Sequence, residues 1–230
     1  MSAPGKLGPA IAARIIAAVN DGFDRQLRFT ADLVAHPSVR ADEQSAQDLL
    51  YTAMSERGLT MDRWQLDPAQ IDVHEGGSPI AISYDDVTNV VGTYTPATNT
   101  GRTNTGRSLI LNGHVDVVPT GPEDSWSRSP WDALIVDGWM YGRGSGDMKA
   151  GLAPNLSAYD AIRAAGFAAT APIYLQSVVE EECTGNGSLA ALLRGYTADA
   201  VIIPEPEENM LVRANVGVIW FQVRVEGRPG

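Results

Sequence analysis

The chain has 230 residues, and its 28 acidic against 17 basic side chains leave a net charge of -11. That balance repels phosphate and excludes a nucleic-acid partner. Apolar residues make up 44% and charged ones 20%, and this length buries roughly 70% of the unfolded chain's surface, so one principal globular domain is expected. The single Cys183 cannot form an internal disulfide, which suits a reducing, cytoplasmic location. Apolar stretches such as residues 171–179 fall far short of the ~20 residues of a bilayer span, so no membrane partner is expected.

In chain order, residues 8–20 are rich in Ala and Ile around Arg14 and read as an amphipathic surface helix rather than a cleaved leader. Over residues 21–35 (Phe23, Leu27, Leu33, Val34) and 42–57 (Leu49, Leu50, Met54), apolar side chains recur at three- and four-residue spacing, punctuated by Ser38 and Gly58. That period predicts two helices. β-Branched runs at 89–94 and 108–112 predict strands, and the Thr-Asn-Thr-Gly-Arg repeat over 98–107 between them reads as a solvated hairpin tip. A loop carrying Trp126, Pro130 and Trp131 leads into a hairpin-like stretch over 133–141 that turns at Asp137-Gly138. A helix over 148–165, a buried strand over 173–179, a helix over 188–193 and a second buried strand over 200–203 follow, with a strand-like pattern over 211–225. The alternation predicts an α/β fold: a mixed, largely parallel sheet with helices on both faces.

Three apolar runs end in groups that bind metals or move protons. The run over 108–112 leads into Gly113-His114-Val115-Asp116, the run over 173–179 into Glu180-Glu181-Glu182, and the run over 200–203 into Pro204-Glu205. Strand ends of an open α/β sheet are where loops diverge and ligands bind, so these acids are expected to converge. Their mutual repulsion calls for a cation. His36 and His74 have no such company and read as structural, whereas Asp116, two residues after His114, suits a carboxylate that orients a ligating imidazole. Asp147 opens the helix over 148–165 and reads locally as either an N-cap or a ligand. The segment 142–146 lacks the Lys-Ser/Thr ending of a phosphate loop, and Arg143 stands where a nucleophile elbow ending in Ser145 needs Gly. Cys183, beside three carboxylates, is poorly placed to be a thiolate nucleophile.

Four ordered stretches, Gly113-His-Val-Asp-Val-Val-Pro119, Tyr141-Gly-Arg-Gly-Ser-Gly-Asp-Met-Lys149, Val179-Glu-Glu-Glu182 and Ile203-Pro-Glu-Pro206, resemble the signatures of a di-zinc hydrolase family. It is the family of acetylornithine deacetylase, succinyl-diaminopimelate desuccinylase, carboxypeptidase G and aminoacylase. The resemblance implies a zinc-peptidase-like catalytic domain holding two zinc ions, replaceable by cobalt or manganese. It implies His114 and Glu205 as ligands of the first metal, Asp147 as the bridge, Glu182 as a ligand of the second, Glu181 as general base and Asp116 as the imidazole's partner. Glu180 takes a supporting position, and a cis peptide follows Asp147. The Glu of Pro-Glu-Pro is similar to deacylases and carboxypeptidases, which implies cleavage of an N-acyl amino acid or short peptide. A carboxypeptidase, a dipeptidase or a non-catalytic metal-binding relative is the alternative. Members of this family insert a lid domain after a segment like 216–227 and then return to complete the catalytic sheet. Residues 1–213 are therefore expected to be the N-terminal portion of the catalytic domain and 214–230 the start of the lid, the fold being C-terminally incomplete and the full-length form homodimeric.

Overall fold

The computed structural model describes residues 7–96, 106–208, 210–214 and 223–227. Helix α1 (Pro9–Ala35) joins the Ala/Ile-rich run and the periodic run after it into one 27-residue element, with Pro9 in its first turn, where a missing N–H costs nothing. The single interior glycine, Gly22, weakens a helix by only about 1 kcal/mol. Only the C-terminal part is anchored in the core, through Thr30, Leu33 and Val34. Helix α2 (Gln44–Glu56) buries Ala46, Leu50, Ala53 and Met54, one stripe at helical spacing.

Strand β1 (Thr60–Gln65) and helix α3 (Pro68–Asp72) come next. They escape the sequence reading because β1 carries Asp62 and Arg63 and buries no residue fully, and α3 is five residues capped by Asp67, which accepts from Ala69 N at 2.9 Å. Strands β2 (Thr88–Tyr94) and β3 (Leu109–His114) match the β-branched runs. The short strands β4 (Leu134–Val136) and β5 (Trp139–Tyr141) form the expected hairpin. Asp137 and Gly138 both have positive φ, 50° and 83°, as a two-residue type I′ turn requires. Helix α4 (Lys149–Ala164), strand β6 (Ile173–Val178), helix α5 (Asn186–Leu193) and strand β7 (Ala200–Ile202) complete the order.

The main sheet runs β1-β2-β6-β3-β7. The pairs β1–β2 and β2–β6 are antiparallel, and β6–β3 and β3–β7 are parallel, so parallel pairing accounts for half of a mixed sheet. The parallel half is the part built by helical crossovers, and it carries the acidic strand ends. In register, Met61, Gly92, Leu175 and Leu111 share one face. A Cβ on Gly92 would touch Met54 of α2, and one on Gly113 would touch Leu152 of α4, so both helices cover that face. On the opposite face Asn89 Nδ2 donates to Gly187 O of α5 at 2.7 Å, and Tyr174 meets the edge of Tyr196 just beyond α5. Helices on both faces thus enclose a core containing Leu33, Leu50, Met54, Leu111, Leu152, Leu156 and Leu175, each of them worth roughly 1.5–3 kcal/mol when buried.

The strand-like pattern over 211–225 is not realised in its described parts: residues 210–214 and 223–227 have no regular structure. The remainder of that stretch, and most of the repeat over 98–107, lie outside the described residues. Among the described residues no helix is long and apolar enough to cross a membrane.

Candidate metal centre

From β3 the chain crosses through α4 to β6 on one side; from β6 it crosses through α5 to β7 on the other side of β3. The two helices lie on opposite faces of the sheet, so the loops leaving β3 and β6 part and open a crevice at the strands' carboxyl ends. His114 ends β3, Glu180, Glu181 and Glu182 follow β6, Glu205 follows β7, and Asp147 precedes α4.

The structure brings most of these groups together. His114 is buried, and its Nε2 lies 3.1 Å from Asp147 Oδ1, 3.5 Å from Glu205 Oε1 and 3.6 Å from Glu181 Oε2. One ligand atom each from His114, Asp147 and Glu205 fall within 4.8 Å of one another. An imidazole nitrogen with two carboxylate oxygens is a donor set zinc accepts, so these residues fit a divalent cation. Glu182 lies outside this three-residue group. Asp147 does not cap α4: Met148 is the N-cap residue and no side chain caps the helix, which leaves the Asp147 carboxylate free to face His114. The Asp147–Met148 peptide is cis.

Electrostatics follow from acids crowding a half-buried crevice. Burial pushes Glu205 up, and Asp147, Glu181 and Glu182 add to it against the pull of His114, leaving it at about 7. Burial likewise raises Glu181 and Glu182. Burial alone would lower His114, but Asp116, Glu181 and Glu205 outweigh it and raise it to about 10. The group therefore holds protons where a cation would neutralise it.

Asp116 works differently from the sequence expectation. His114 Nδ1 is 2.8 Å from the main-chain carbonyl of Asp116, an acceptor only, so Nδ1 carries the proton and Nε2 faces the acids. The Asp116 carboxylate stands 3.6 Å from Nδ1, too far for a hydrogen bond. It accepts instead from the main-chain N–H groups of Glu181 at 3.3 Å and Glu182 at 3.1 Å. Two amide donors presented by the turn at Glu180 outcompete one imidazole N–H, which the carbonyl satisfies. Asp116 thus ties the strand end of β3 to the strand end of β6.

The turn itself is held by groups that no local pattern reveals. Glu180 has φ 64° and a wholly buried carboxylate. That carboxylate accepts from Arg40 Nη2 at 2.7 Å and from Arg40 Nε, from Tyr84 Oη at 2.9 Å and from Thr184 Oγ1 at 3.1 Å. Burial pushes Glu180 up, yet Arg40 and Tyr84 pull harder and hold it below the usual carboxylate range. Lys149, also wholly buried, donates from Nζ to Leu33 O at 2.9 Å and His36 O at 2.8 Å. It thereby clamps the start of α4 to the end of α1 and satisfies carbonyls that a helix terminus leaves open. Burial lowers it to about 7. The only forewarning of Lys149 in the sequence is its place in the stretch 141–149. His36 caps α1 and His74 accepts from Gly76 N, so neither joins the centre. Exposed Cys183 has its thiol raised, by burial first and then by Glu180, Asp116 and Glu182, against Arg40.

The profile of peptidase family M20/M25/M40 matches residues 110–226. The chain is 29% identical over 220 residues to N-formyl-4-amino-5-aminomethyl-2-methylpyrimidine deformylase of Halalkalibacterium halodurans, covering 94% of this chain and 46% of that one. It is 30% identical over 200 residues to succinyl-diaminopimelate desuccinylase of Methylobacillus flagellatus, covering 83% and 45%. The chain therefore spans about half the length of these relatives. Human carnosine dipeptidase 1 shares the fold, with a TM-score of 0.62 at 17% identity over 84% of this chain and 41% of that one. A profile match over residues 110–226, half of the chain, which takes in His114, the Asp147 loop, the Glu180 turn and Glu205, shows that the chain belongs to peptidase family M20/M25/M40.

Proposed function

We propose that this chain is the metal-binding part of an amidohydrolase that cleaves N-acyl amino acids, as a deacylase of the acetylornithine deacetylase type. The observation that carries the reading is the convergence of His114, Asp147 and Glu205 with Glu181 beside them at 3.6 Å. His114, Asp147 and Glu205 would hold the first zinc, and Asp147 with Glu182 is what this chain would offer a second. Zinc held there supplies Lewis acidity toward the amide carbonyl. Glu181 takes the proton of the attacking water and delivers it to the leaving amine, a role for a carboxylate close to the ligands but not among them. Asp116 fixes Glu181 through its main-chain N–H and the imidazole through its own carbonyl, so both hold their places as the proton moves. Deacylation is favoured by Glu205 in its Pro-Glu-Pro setting and by relatives whose names describe removal of formyl and succinyl groups. Residues 1–213 belong on this reading to the catalytic domain and 214–230 begin the lid, in a cytoplasmic enzyme.

Zinc titration of the purified chain, with hydrolysis of an N-acetyl amino acid followed in the full-length protein, tests the assignment. His114→Ala and Glu205→Gln should each abolish tight zinc uptake. Glu181→Gln should retain zinc and lower hydrolysis by about 10²- to 10⁴-fold. Unaltered zinc affinity in Glu205→Gln would remove the basis of the reading.

A further inference from the structure

Asn186, the first residue of α5, is wholly buried and touches none of the residues proposed to hold metal. Its side-chain amide pairs with the main chain of Ser78, in the loop before β2, as one strand pairs with another. Oδ1 accepts from Ser78 N at 2.9 Å, and Nδ2 donates to Ser78 O at 3.1 Å. That pairing forces the orientation of the amide, since the N–H of Ser78 must meet an oxygen and its carbonyl a nitrogen. The second hydrogen of Nδ2 is then left for Tyr84 Oη, 2.8 Å away.

The consequence runs through two hydroxyls. A phenol has one proton to give, and with Asn186 donating into its oxygen that proton goes to Glu180 Oε2 at 2.9 Å. The main-chain N–H of Asn186 treats Thr184 in the same way: Thr184 Oγ1 accepts it at 3.1 Å and lies 3.1 Å from both the Glu180 carbonyl and Glu180 Oε2. That carbonyl already accepts from the N–H groups of Thr184 and Gly185, so the carboxylate gains most from the Thr184 proton. Both neutral donors to Glu180 thus take their direction from one asparagine, and hydrogen bonds chained in this way strengthen one another. Ser78 Oγ fastens the loop at a third point, donating to Thr184 O at 2.8 Å.

What these donors hold is a turn of the backbone. Glu180 has φ 64°, a region that a residue with a side chain keeps only where its surroundings over-determine it. Glu181 is the next residue, so the turn aims its carboxylate at the His114 imidazole, 3.6 Å away, and its N–H, with that of Glu182, at Asp116. Resting on the hydrolase reading above, we propose that Asn186 is a positioning residue for the general base, acting on Glu181 through Tyr84, Thr184 and Glu180.

Three variants of the zinc-loaded full-length protein test this. Asn186→Asp keeps the acceptor facing Ser78 N but turns the donor facing Tyr84 into an acceptor, which draws the phenol proton away from Glu180. Tyr84→Phe removes the hydroxyl alone. Each should lower kcat for an N-acetyl amino acid by about tenfold, the scale of a misplaced catalytic group, while KM and zinc affinity move less than about threefold. The metal is spared because Arg40 still grips Glu180 and His114, Asp147 and Glu205 stand off the turn. Asn186→Ala loses both bonds to Ser78 yet leaves Tyr84 able to donate to Glu180, so its kcat should fall less than that of Asn186→Asp, the reverse of what a loosened loop alone would give. The amide proton resonances of Glu181 and Glu182 report the same movement without turnover, and should shift in Asn186→Asp and in Tyr84→Phe. Unchanged kcat in either of those two variants, a larger loss in Asn186→Ala than in Asn186→Asp, or amide resonances that stay in place would overturn the inference. A wild type that takes up zinc but hydrolyses no acyl amino acid defeats the hydrolase reading, and the amide resonances then decide by themselves whether Asn186 sets the turn.

Discussion

Replacing Arg40 by Ala isolates the strut beneath the acidic turn. The substitution leaves the Glu180 carboxylate wholly buried with Tyr84 and Thr184 as its remaining donors. Removing one partner of a buried pair costs about 3–5 kcal/mol, because the other charge stays desolvated. Arg40 itself is 26% exposed, which lets water in and places the cost near about 3 kcal/mol at neutral pH. For a chain of this length each kcal/mol moves Tm by about 2–4 °C, so a fall of about 6–12 °C is expected. The pH dependence carries the more discriminating sign. In the native protein Glu180 lies below its ordinary 4.5, so its contribution is present above that value and is lost as pH falls through the depressed one. In Arg40→Ala only Tyr84 and Thr184 still oppose burial, which then raises Glu180, so the variant instead loses stability as pH rises from about 4.5. The gap between wild type and variant should therefore be widest near pH 7.5 and shrink toward pH 5, measured by thermal melts at both. Zinc affinity should also fall, although Arg40 touches none of the ligands, because the turn at Glu180 aims the Glu181 and Glu182 amides at Asp116. Arg40→Lys should restore charge without the two-pronged fork, and so recover only part of either loss. A gap below about 1 kcal/mol, or one indifferent to pH, would refute the account of Glu180 as a charge held by Arg40.

Zinc at a hundred times its Kd should add about 2.7 kcal/mol to native stability and raise Tm by about 5–11 °C, with chelator reversing the shift; identical melts with zinc and chelator would contradict a formed centre. Glu43 is buried near Asp116 and Glu180, and burial raises it from 4.5 to about 7, so its ionisation lowers stability progressively as pH rises through that window. Glu43→Gln, which can keep the bond from Ala41 N, should flatten the pH–stability curve and gain up to about 3 kcal/mol above pH 7, read by urea denaturation. Gly187→Ala places a Cβ 1.9 Å from Val179 O, a backbone atom that cannot swing aside. The expected loss is about 3 kcal/mol or more, visible as a lowered urea midpoint.

Three residues of the candidate centre are legible because each is written at the end of an uncharged run, where local sequence marks both the strand and its terminus, whereas Asp147 before α4 is marked only by the stretch 141–149. His114, Glu181 and Glu205 stand at such ends, and the fold carries the two carboxylates to 3.6 and 3.5 Å from the imidazole Nε2. Their supports were not legible, for a physical reason. Arg40 and Glu180 are 140 positions apart, Tyr84 and Glu180 are 96 apart, and Lys149 reaches back 116 positions to Leu33. Periodicity and spacing see only neighbours within a turn or two, so a buried charge whose partner lies that far away reads as an ordinary surface residue. Asp116 shows the same limit at the finest scale. Its spacing from His114 brings it beside the imidazole, but whether carbonyl or carboxylate makes the bond depends on two amides that arrive from the turn after β6. The carboxylate goes to those amides because a charged acceptor gains more from two N–H donors than from one. Substituting Asp116 by Asn would then disturb the Glu181–Glu182 turn before it disturbs the histidine, the reverse of what a simple carboxylate–imidazole pair would show.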